Sequence, residues 1–163
     1  KKQSSMRLAL DAVRSEKAQA MVSAGNTGAL VAISRYVLKT LLGIDRPALI
    51  ARLPNVRGYG YMLDLGANVE CDSENLHQFA LMGSAYARVL GAGKSPKVGL
   101  LNIGSEEVKG SEEIRLANAS LKGSDVINYV GYVEGDDLYK GRLQPLNLLC
   151  WSLVPEIYLQ YFQ

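Results

Sequence analysis

One local pattern recurs three times along the chain: a short apolar stretch ends in a glycine-containing turn, and a helical hydrophobic pattern follows. The turns are SAGNTG (23–28), DLGANV (64–69) and NIGSEE (102–107). Short apolar strands that alternate with amphipathic helices are typical of α/β proteins, in which helices cover both faces of a largely parallel sheet. The repeated pattern therefore predicts an α/β fold.

The hydrophobic spacing predicts where most of the helices and strands lie. Helices are expected after a cap at Ser4 or Ser5, from near Thr27, after a cap at Ser73, and from about Ser111. Strands are expected at 20–24, 47–51, 61–65, 98–102 and 126–133. The second helix should bury the face formed by Ala29, Ile33, Val37 and Leu41, which lie four residues apart.

Charge and composition argue against several classes of function. The net charge is +2, and the Lys and Arg residues are scattered, which argues against a nucleic-acid partner. No apolar run approaches the ~20 residues of a membrane-spanning helix. The two cysteines, Cys71 and Cys150, are far apart and His77 is the single histidine, which argues against a zinc site of the usual Cys/His kind. No metal or cofactor is predicted. We expect two reduced thiols and a surface or packing role for His77.

The three turns share a chemistry that suits an anion. Each has a glycine close to an asparagine, namely Asn26, Asn68 or Asn102. Glycine allows close backbone approach, and a helix N-terminus offers unpaired N–H groups with partial positive charge. Ligands of open parallel sheets bind beyond the carboxyl ends of the strands, so all three turns are expected at one edge. The alternative interpretation is that each is simply a tight turn between a strand and a helix.

Two other segments were weighed as sites. The segment GAGKS (91–95) resembles the end of a phosphate-binding loop, but Arg88 replaces the required first glycine, so we interpret it as a helix stop and connector. The segment NIGSEEVKGSEE is rich in charge and is either a solvated loop or a functional one. In the functional interpretation, Lys109 neutralises phosphate or polarises a carbonyl.

Seven segments together resemble one family, the bacterial phosphate acyltransferases of phospholipid synthesis (PlsX). They are SSMRLALD (4–11), VSAGNTGAL (22–30), GIDRPAL (43–49), LDLGANVECD (63–72), QFALMGS (78–84), GLLNIGSEEVKG (99–110) and INYVGYVEGDDL (127–138). They occur in the family's order, and the resemblance extends from residue 1 to about residue 142.

The resemblance implies a cytosolic enzyme, typically homodimeric and peripherally associated with the membrane, without a cofactor. It would transfer a fatty acyl group from acyl carrier protein to inorganic phosphate. It also implies a three-layer fold like that of isocitrate and isopropylmalate dehydrogenases, and it makes Lys109 the best catalytic candidate. Candidate phosphate- or substrate-binding residues are Ser23, Gly25, Asn26, Thr27, Gly28, Asp64, Gly66, Asn68, Asn102, Gly104, Glu106 and Glu107.

The residues themselves are compatible with that chemistry. Phosphate would be the nucleophile, so no activated serine or cysteine is required. The reaction needs a held phosphate and a stabilised oxyanion on the thioester carbonyl, which glycine turns, asparagines and a lysine can supply. Two alternatives remain open: a phosphotransacetylase-like enzyme that uses coenzyme A thioesters, and a catalytically inactive anion-binding fragment. The acyl donor that is accepted, or the absence of turnover, distinguishes them.

The chain departs from the family pattern at both ends. It begins downstream of the family's first strand and helix, and residues 143–163 form an apolar tail that differs from the family's sequence. We therefore expect an incomplete family domain at 1–142, with weak activity, followed by the tail. The tail is expected to add a strand at the sheet edge around 146–154, ended by Pro155.

Overall fold

The computed structural model of the chain describes residues 4–66, 68, 70–91, 93–103 and 110–141, together with the backbone of 147–150. Its internal contacts divide the chain into two compact units, Lys1–Pro47 and Ala48–Gln163. No helix among the described residues is long and apolar enough to cross a membrane.

The first unit contains two helices that pack against each other, α1 (Ser5–Arg14) and α2 (Thr27–Leu38). Both begin where the sequence predicts. The Ser4 hydroxyl accepts a hydrogen bond from the Arg7 N–H at 3.3 Å, and Asn26 Oδ1 accepts one from the Ala29 N–H at 2.9 Å. These side chains satisfy backbone donors that the first helical turn leaves unpaired, which fixes where each helix starts.

Two predictions for this unit are wrong. Residues 20–24 do not form a strand, and the Val22 side chain is 99% exposed. The described elements of this unit are helices, which offer a strand no partner for its backbone hydrogen bonds. The predicted face of α2 is also only partly buried: Val37 is buried, but Ala29 is exposed and Leu41 lies beyond the helix end.

The second unit is built on a five-stranded sheet. Its strands are β1 (Ile50–Asn55), β2 (Gly58–Leu63), β3 (Lys97–Leu101), β4 (Asn128–Val133) and β5 (Asn147–Cys150), in the order β1-β2-β5-β3-β4. All neighbours pair in parallel except β1, which is antiparallel to β2. The largely parallel α/β sheet is therefore confirmed.

The strands β1 and β2 are displaced from their predicted positions at 47–51 and 61–65. They form a tight hairpin around Val56 and Arg57, and Pro54 lies in the edge strand β1, where a missing N–H is tolerated. Neither Val nor Arg is a typical residue for a two-residue hairpin turn, so the sequence carries little signal for it.

Helices cover both faces of this sheet, because successive strand side chains point to opposite sides. The helices α3 (Ser73–Val89) and α4 (Glu112–Lys122) cover one face, and the short α5 (Gly135–Lys140), which the sequence analysis missed, packs on the other. The larger core includes Leu63, Leu76, Phe79, Val98, Leu100, Ile114 and Leu121. The smaller core on the opposite face is Met62, Leu101, Val133 and Leu138.

The tail supplies a strand, as predicted, but not at the edge. The strand β5 lies between β2 and β3, with Leu148 opposite both Tyr61 and Val98. An apolar segment suits this position, because a central parallel strand is covered on both faces. Strand order depends on pairing between distant segments, which local sequence patterns do not encode. Pro155 lies outside the described residues.

Two predictions are confirmed in this region, one for His77 on α3 and one for the segment that follows the end of α3. His77 is half-buried and shares a 2.9 Å hydrogen bond with the Ser120 hydroxyl, so it joins α3 to α4 as a packing residue. The segment 91–95 follows the end of α3, with Gly91 and Gly93 at φ +87° and +84°, and leads into β3. It is a helix stop and connector.

Candidate functional site

The turn after β2 is organised by a buried carboxylate. Asp64 is 1% exposed and has a φ of +61°, an unusual value for a residue other than glycine. Its N–H donates to the Leu49 carbonyl at 2.7 Å. Its carboxylate accepts hydrogen bonds from Asn68 Nδ2 at 3.2 Å and from the Cys71 thiol at 3.5 Å. Hydrogen bonds offset the cost of burying a charge, so Asp64 ties both ends of the segment 64–71 together.

The turn after β3 is anchored by Asn102. This residue is 1% exposed, and its N–H continues the pairing with β4 by donating to the Val133 carbonyl at 3.0 Å. Gly110 lies against the Asn102 side chain: a Cβ at residue 110 would lie 2.5 Å from Asn102 Oδ1. The two described ends of the segment 102–110 therefore meet at the end of β3.

The N-termini of α3 and α4 lie side by side. Glu113, in the first turn of α4, accepts a hydrogen bond from the Ser73 N–H at the start of α3 at 2.7 Å. Each helix also has its own cap: Asp72 accepts from the Asn75 N–H at 2.7 Å, and Ser111 caps α4. The Glu113 contact therefore links the segment after β2 to the segment after β3.

The charge at the N-terminus of α2 differs from the charge at the N-termini of α3 and α4, which makes α2 the better candidate for binding an anion. The first turns of α3 and α4 contain Glu74, Glu112 and Glu113, so the chain's own carboxylates face the positive ends of both helix dipoles. The first turn of α2 contains no acidic residue. Before it, the Ser23 hydroxyl accepts from the Gly25 N–H at 3.1 Å, and the segment 24–29 is exposed. Of the three turns, the one at α2 has the charge that suits an added anion.

The structure brings some of the predicted residues together. The parallel strands β2 and β3 end at one edge, so Asp64, Gly66, Asn68 and Asn102 lie there. Because β5 separates the two strands, Asp64 and Asn102 are about 10 Å apart, or two strand spacings. The other candidates fall into two groups. Ser23, Gly25, Asn26, Thr27 and Gly28 lie in the first unit and follow no strand; Gly104, Glu106, Glu107 and Lys109 lie outside the described residues.

Three residues that hold this edge together were not predicted to do so. They are Cys71, which donates to Asp64, Gly110, which packs on Asn102, and Glu113, which links α3 and α4. A glycine directly after Lys109 is a local signal that could have identified Gly110. The other two contacts join separate parts of the chain, and no local pattern indicates them. Among the described residues, no group of His, Cys, Asp or Glu is arranged to hold a metal ion.

Known proteins match the chain in sequence and in fold. Curated relatives are phosphate acyltransferases from Hydrogenovibrio crunogenus, 58% identical over 141 residues, from Pseudomonas putida, 59% over 142 residues, and from Nitrosococcus oceani, 61% over 141 residues. These alignments cover 86–87% of this chain but 41–42% of each relative. The chain thus spans about two fifths of the length of the relatives it matches.

Two solved structures share the fold at low sequence identity. A EutD phosphotransacetylase from Staphylococcus aureus has a TM-score of 0.59 at 17% identity. The superposition covers 96% of this chain and 53% of the phosphotransacetylase chain. A branched-chain phosphotransacylase from Enterococcus faecalis has a TM-score of 0.60 at 15% identity. This superposition covers 96% of this chain and 62% of the phosphotransacylase chain. The family model described as fatty acid synthesis protein matches residues 1–159. The resemblance that the motifs predict is thereby confirmed, and the chain belongs to the fatty acid synthesis protein family.

Proposed function

We propose that this chain carries part of the active site of a phosphate acyltransferase, which transfers a fatty acyl group from acyl carrier protein to inorganic phosphate. The observation that carries the proposal is the 58–61% identity to relatives named phosphate acyltransferase. The aligned stretches, 141–142 of the 163 residues, are long enough to include all three glycine turns. The proposal also explains why the described residues form an edge of amides, glycines and helix termini rather than a serine or cysteine nucleophile site.

The reaction is a displacement at the thioester carbonyl. A phosphate oxygen attacks the carbonyl carbon, the C–O bond forms, the C–S bond breaks, and the carrier thiol leaves with a proton. The site must hold phosphate and stabilise the negative charge that develops on the carbonyl oxygen. No protein nucleophile and no cofactor take part in this proposal.

We assign phosphate binding to the turn before α2, through Ser23, Gly25, Asn26, Thr27 and Gly28. The absence of acidic residues from the first turn of α2 supports this assignment, since the helix dipole there is not offset by the chain's own carboxylates. In the second unit, Asn102 and Gly104 are proposed phosphate- or substrate-binding residues, and Lys109 is the proposed catalytic residue that supplies positive charge. Glu106 and Glu107, its near neighbours in sequence, are proposed substrate contacts.

For the turn after β2 we propose a supporting role in substrate binding. Asp64 is directed into its own loop by Asn68 and Cys71, and a buried carboxylate would repel phosphate if it faced the ligand. Asn68 and Gly66 are the members of this turn that are proposed to approach substrate.

The rest of the proposal concerns the whole protein. It has a three-layer, isocitrate dehydrogenase-like fold and acts as a cytoplasmic homodimer with peripheral membrane contact. Its partners are acyl carrier protein and phosphate, and nucleic acid is not among them. The likeness to two phosphotransacylase structures supports the fold part of this proposal.

A second candidate function uses a coenzyme A thioester as the acyl donor. It is favoured by the fold shared with a phosphotransacetylase and a branched-chain phosphotransacylase. A third candidate, an anion-binding fragment without turnover, predicts phosphate binding but no acyl phosphate.

The test compares this chain with a chimera in which residues 1–142 replace the matching segment of the Pseudomonas putida relative. Each protein is mixed with phosphate and either an acyl carrier protein thioester or a coenzyme A thioester, and hydroxylamine traps acyl phosphate as hydroxamate. We expect product from the chimera with the carrier protein thioester and much slower turnover by the chain alone. Product only from coenzyme A supports the second candidate, and phosphate binding without product from either donor supports the third.

Lys109 gives the sharpest single prediction of this function. In the chimera, Lys109→Ala should lower turnover about 10²–10³-fold, because removing a preorganised charge from a reacting centre has effects of that size. Melting temperature should change little. The matched control is Lys94→Ala, which removes an exposed lysine from the connector after α3. Equal turnover of the two variants would remove Lys109 from the catalytic site.

A further inference from the structure

A cluster of cations surrounds an exposed tyrosine at the C-terminal end of α2. The Arg7 guanidinium carbon and the Lys39 ammonium nitrogen each lie 5.1 Å from the centre of the Tyr36 ring, close enough for cation–π attraction. Arg35 is adjacent in sequence and also exposed, and the Tyr36 side chain is 65% exposed. We call Arg7, Arg35, Tyr36 and Lys39 the Tyr36 cluster.

Most of the positive charge in the Tyr36 cluster is not neutralised by the residues that the structure describes. Arg7 pairs with Asp11 at 2.9 Å, but neither Arg35 nor Lys39 has a carboxylate partner in the part of the chain that the structure describes. Arg35 lies in the last turn of α2 and Lys39 is the residue that caps the end of the helix, so both cations are at its C-terminal end. The helix dipole favours cations at this end, but it acts on each cation separately and does not require two cations beside one ring.

Lys39 also has an unfavourable backbone conformation. Its φ of +68° and ψ of 178° fall in a region that glycine alone adopts readily. Glycine at this position would end α2 without that strain. Strained backbone concentrates at ligand sites, so a strained lysine beside a second unpaired cation is an observation in favour of a binding site here.

The Tyr36 cluster borders an open surface cavity of about 380 Å³, lined by five exposed residues, Ala32, Arg35, Tyr36, Lys39 and Thr40. Its volume exceeds what a bare phosphate ion would fill, and its open side leaves room for a group attached to the phosphate. Its polar groups are a guanidinium, an ammonium and two hydroxyls, and no lining residue is acidic. A guanidinium binds phosphate oxygens with two parallel hydrogen bonds, and an ammonium adds a point charge.

We propose that this cavity binds the phosphate group of an organic phosphate, between Arg35 and Lys39, with the organic part over Ala32 and Thr40. The site lies at the opposite end of α2 from the turn assigned to inorganic phosphate. The phosphate can belong to a soluble ester or to a phospholipid headgroup. Leu38, Leu41 and Leu42 are exposed beside the cavity residues in sequence and would contact lipid in the second case.

The test uses the unmodified chain and NMR. Phenyl phosphate is titrated with phenol as the uncharged control, and the resonances of residues 35–40 are followed separately from those of 25–28. In a second arm, the chain is sedimented with phosphatidylcholine vesicles that contain or lack phosphatidic acid. We expect phenyl phosphate to cause saturable resonance shifts at residues 35–40. If vesicle binding requires both phosphatidic acid and the pair Arg35 and Lys39, the bound phosphate belongs to a lipid headgroup.

Matched variants separate a site from general charge attraction. Arg35→Gln with Lys39→Gln should weaken binding at 35–40 about ten-fold or more. Arg14→Gln with Lys17→Gln removes the same charge from exposed positions outside the cavity and should have no effect. Lys39→Gly should raise the melting temperature and weaken binding. Equal loss of phenyl phosphate binding in both double variants overturns this proposal. Resonance shifts confined to residues 25–28 also overturn it, but they leave the proposed acyltransferase function unaffected.

Discussion

Gly110 illustrates how closely one residue is constrained at the edge of the sheet. Its φ is +102°, and a Cβ would lie 2.5 Å from the side-chain oxygen of the buried Asn102. We expect Gly110→Ala to lower the free energy of unfolding by about 2–4 kcal/mol, from backbone strain together with a steric clash. Urea denaturation measures the change.

Gly91→Ala is the control for that prediction. Gly91 also has a positive φ, +87°, but nothing lies within 4 Å of a Cβ there. Gly91→Ala should therefore lower the free energy of unfolding by only the backbone-strain contribution, about 1 kcal/mol. Equal costs at the two positions would show that Asn102 moves aside and that the contact is not restrictive.

Tyr61 should make stability depend on alkaline pH. Burial raises the pKa of its phenol above the ordinary value of 10.0, with a further contribution from Tyr59. A group whose pKa is raised on folding stabilises the protein fully below its unfolded pKa, and this contribution is lost as pH rises through the folded pKa. Stability should therefore decline above pH 10.

Tyr61→Phe tests this dependence. The variant should lose part of the decline in melting temperature above pH 10. A wild-type curve that parallels the Tyr61→Phe curve at every pH would assign the decline to other groups.

At the scale of secondary structure, the contact between α3 and α4 is the most informative. The Ser73 N–H donates to Glu113, whereas the adjacent Glu112 makes an exposed pair with Arg115 on its own helix. Glu113→Ala should destabilise by about 1–2 kcal/mol, because it leaves a helix N-terminal donor without its partner. Glu112→Ala should cost under about 0.5 kcal/mol.

The two substitutions remove the same charge from the first turn of α4, so their difference isolates the link between the helices. Glu113→Gln, which keeps an acceptor oxygen, should restore most of the stability. Thermal and urea unfolding of the three variants supply the comparison. If Glu112→Ala is the more harmful, the helix dipole rather than the contact with Ser73 is the dominant effect.

The elements that the sequence predicts well are those with strong local signals. The starts of α1, α2, α3 and α4 are marked by capping side chains, and β3 and β4 are apolar runs between turns. The cap of α3 is Asp72, however, and not the predicted Ser73, which is the first helical residue. The prediction of a strand at 20–24 is wrong because an apolar run does not reveal whether a partner strand exists. The helix α5 was missed because six residues contain too little hydrophobic periodicity to be recognised.

At the scale of the whole molecule, the sheet depends on its central strand. The strand β5 pairs with β2 on one side and with β3 on the other. Removing residues 143–163 should abolish cooperative unfolding of the second unit, because both neighbouring strands lose their backbone hydrogen-bond partners. Leu149→Pro should act in the same direction, since proline cannot donate in a central strand.

Far-UV circular dichroism during urea titration measures both changes. A shortened chain with the same midpoint as the full chain would show that β2 and β3 pair without β5.

The candidate site was predictable in part at this scale. The motifs place Asp64 and Asn102 at the carboxyl ends of two predicted parallel strands, and the structure puts both at one edge. The sequence could not show that Asp64 bonds to its own loop, because that depends on Cys71 and Asn68 folding back onto it. The acyl transfer role of Lys109 stays a prediction.

The position of β5 also has a consequence for biosynthesis. During translation, β2 and β3 leave the ribosome long before the segment 147–150, and a parallel sheet cannot close across the gap between them. The nascent chain therefore exposes two strand edges with apolar faces while it waits for the residues that join them. Such intermediates are the species that chaperones bind and that aggregate when synthesis outpaces folding. Ribosome pausing before codon 147 would lengthen that exposure.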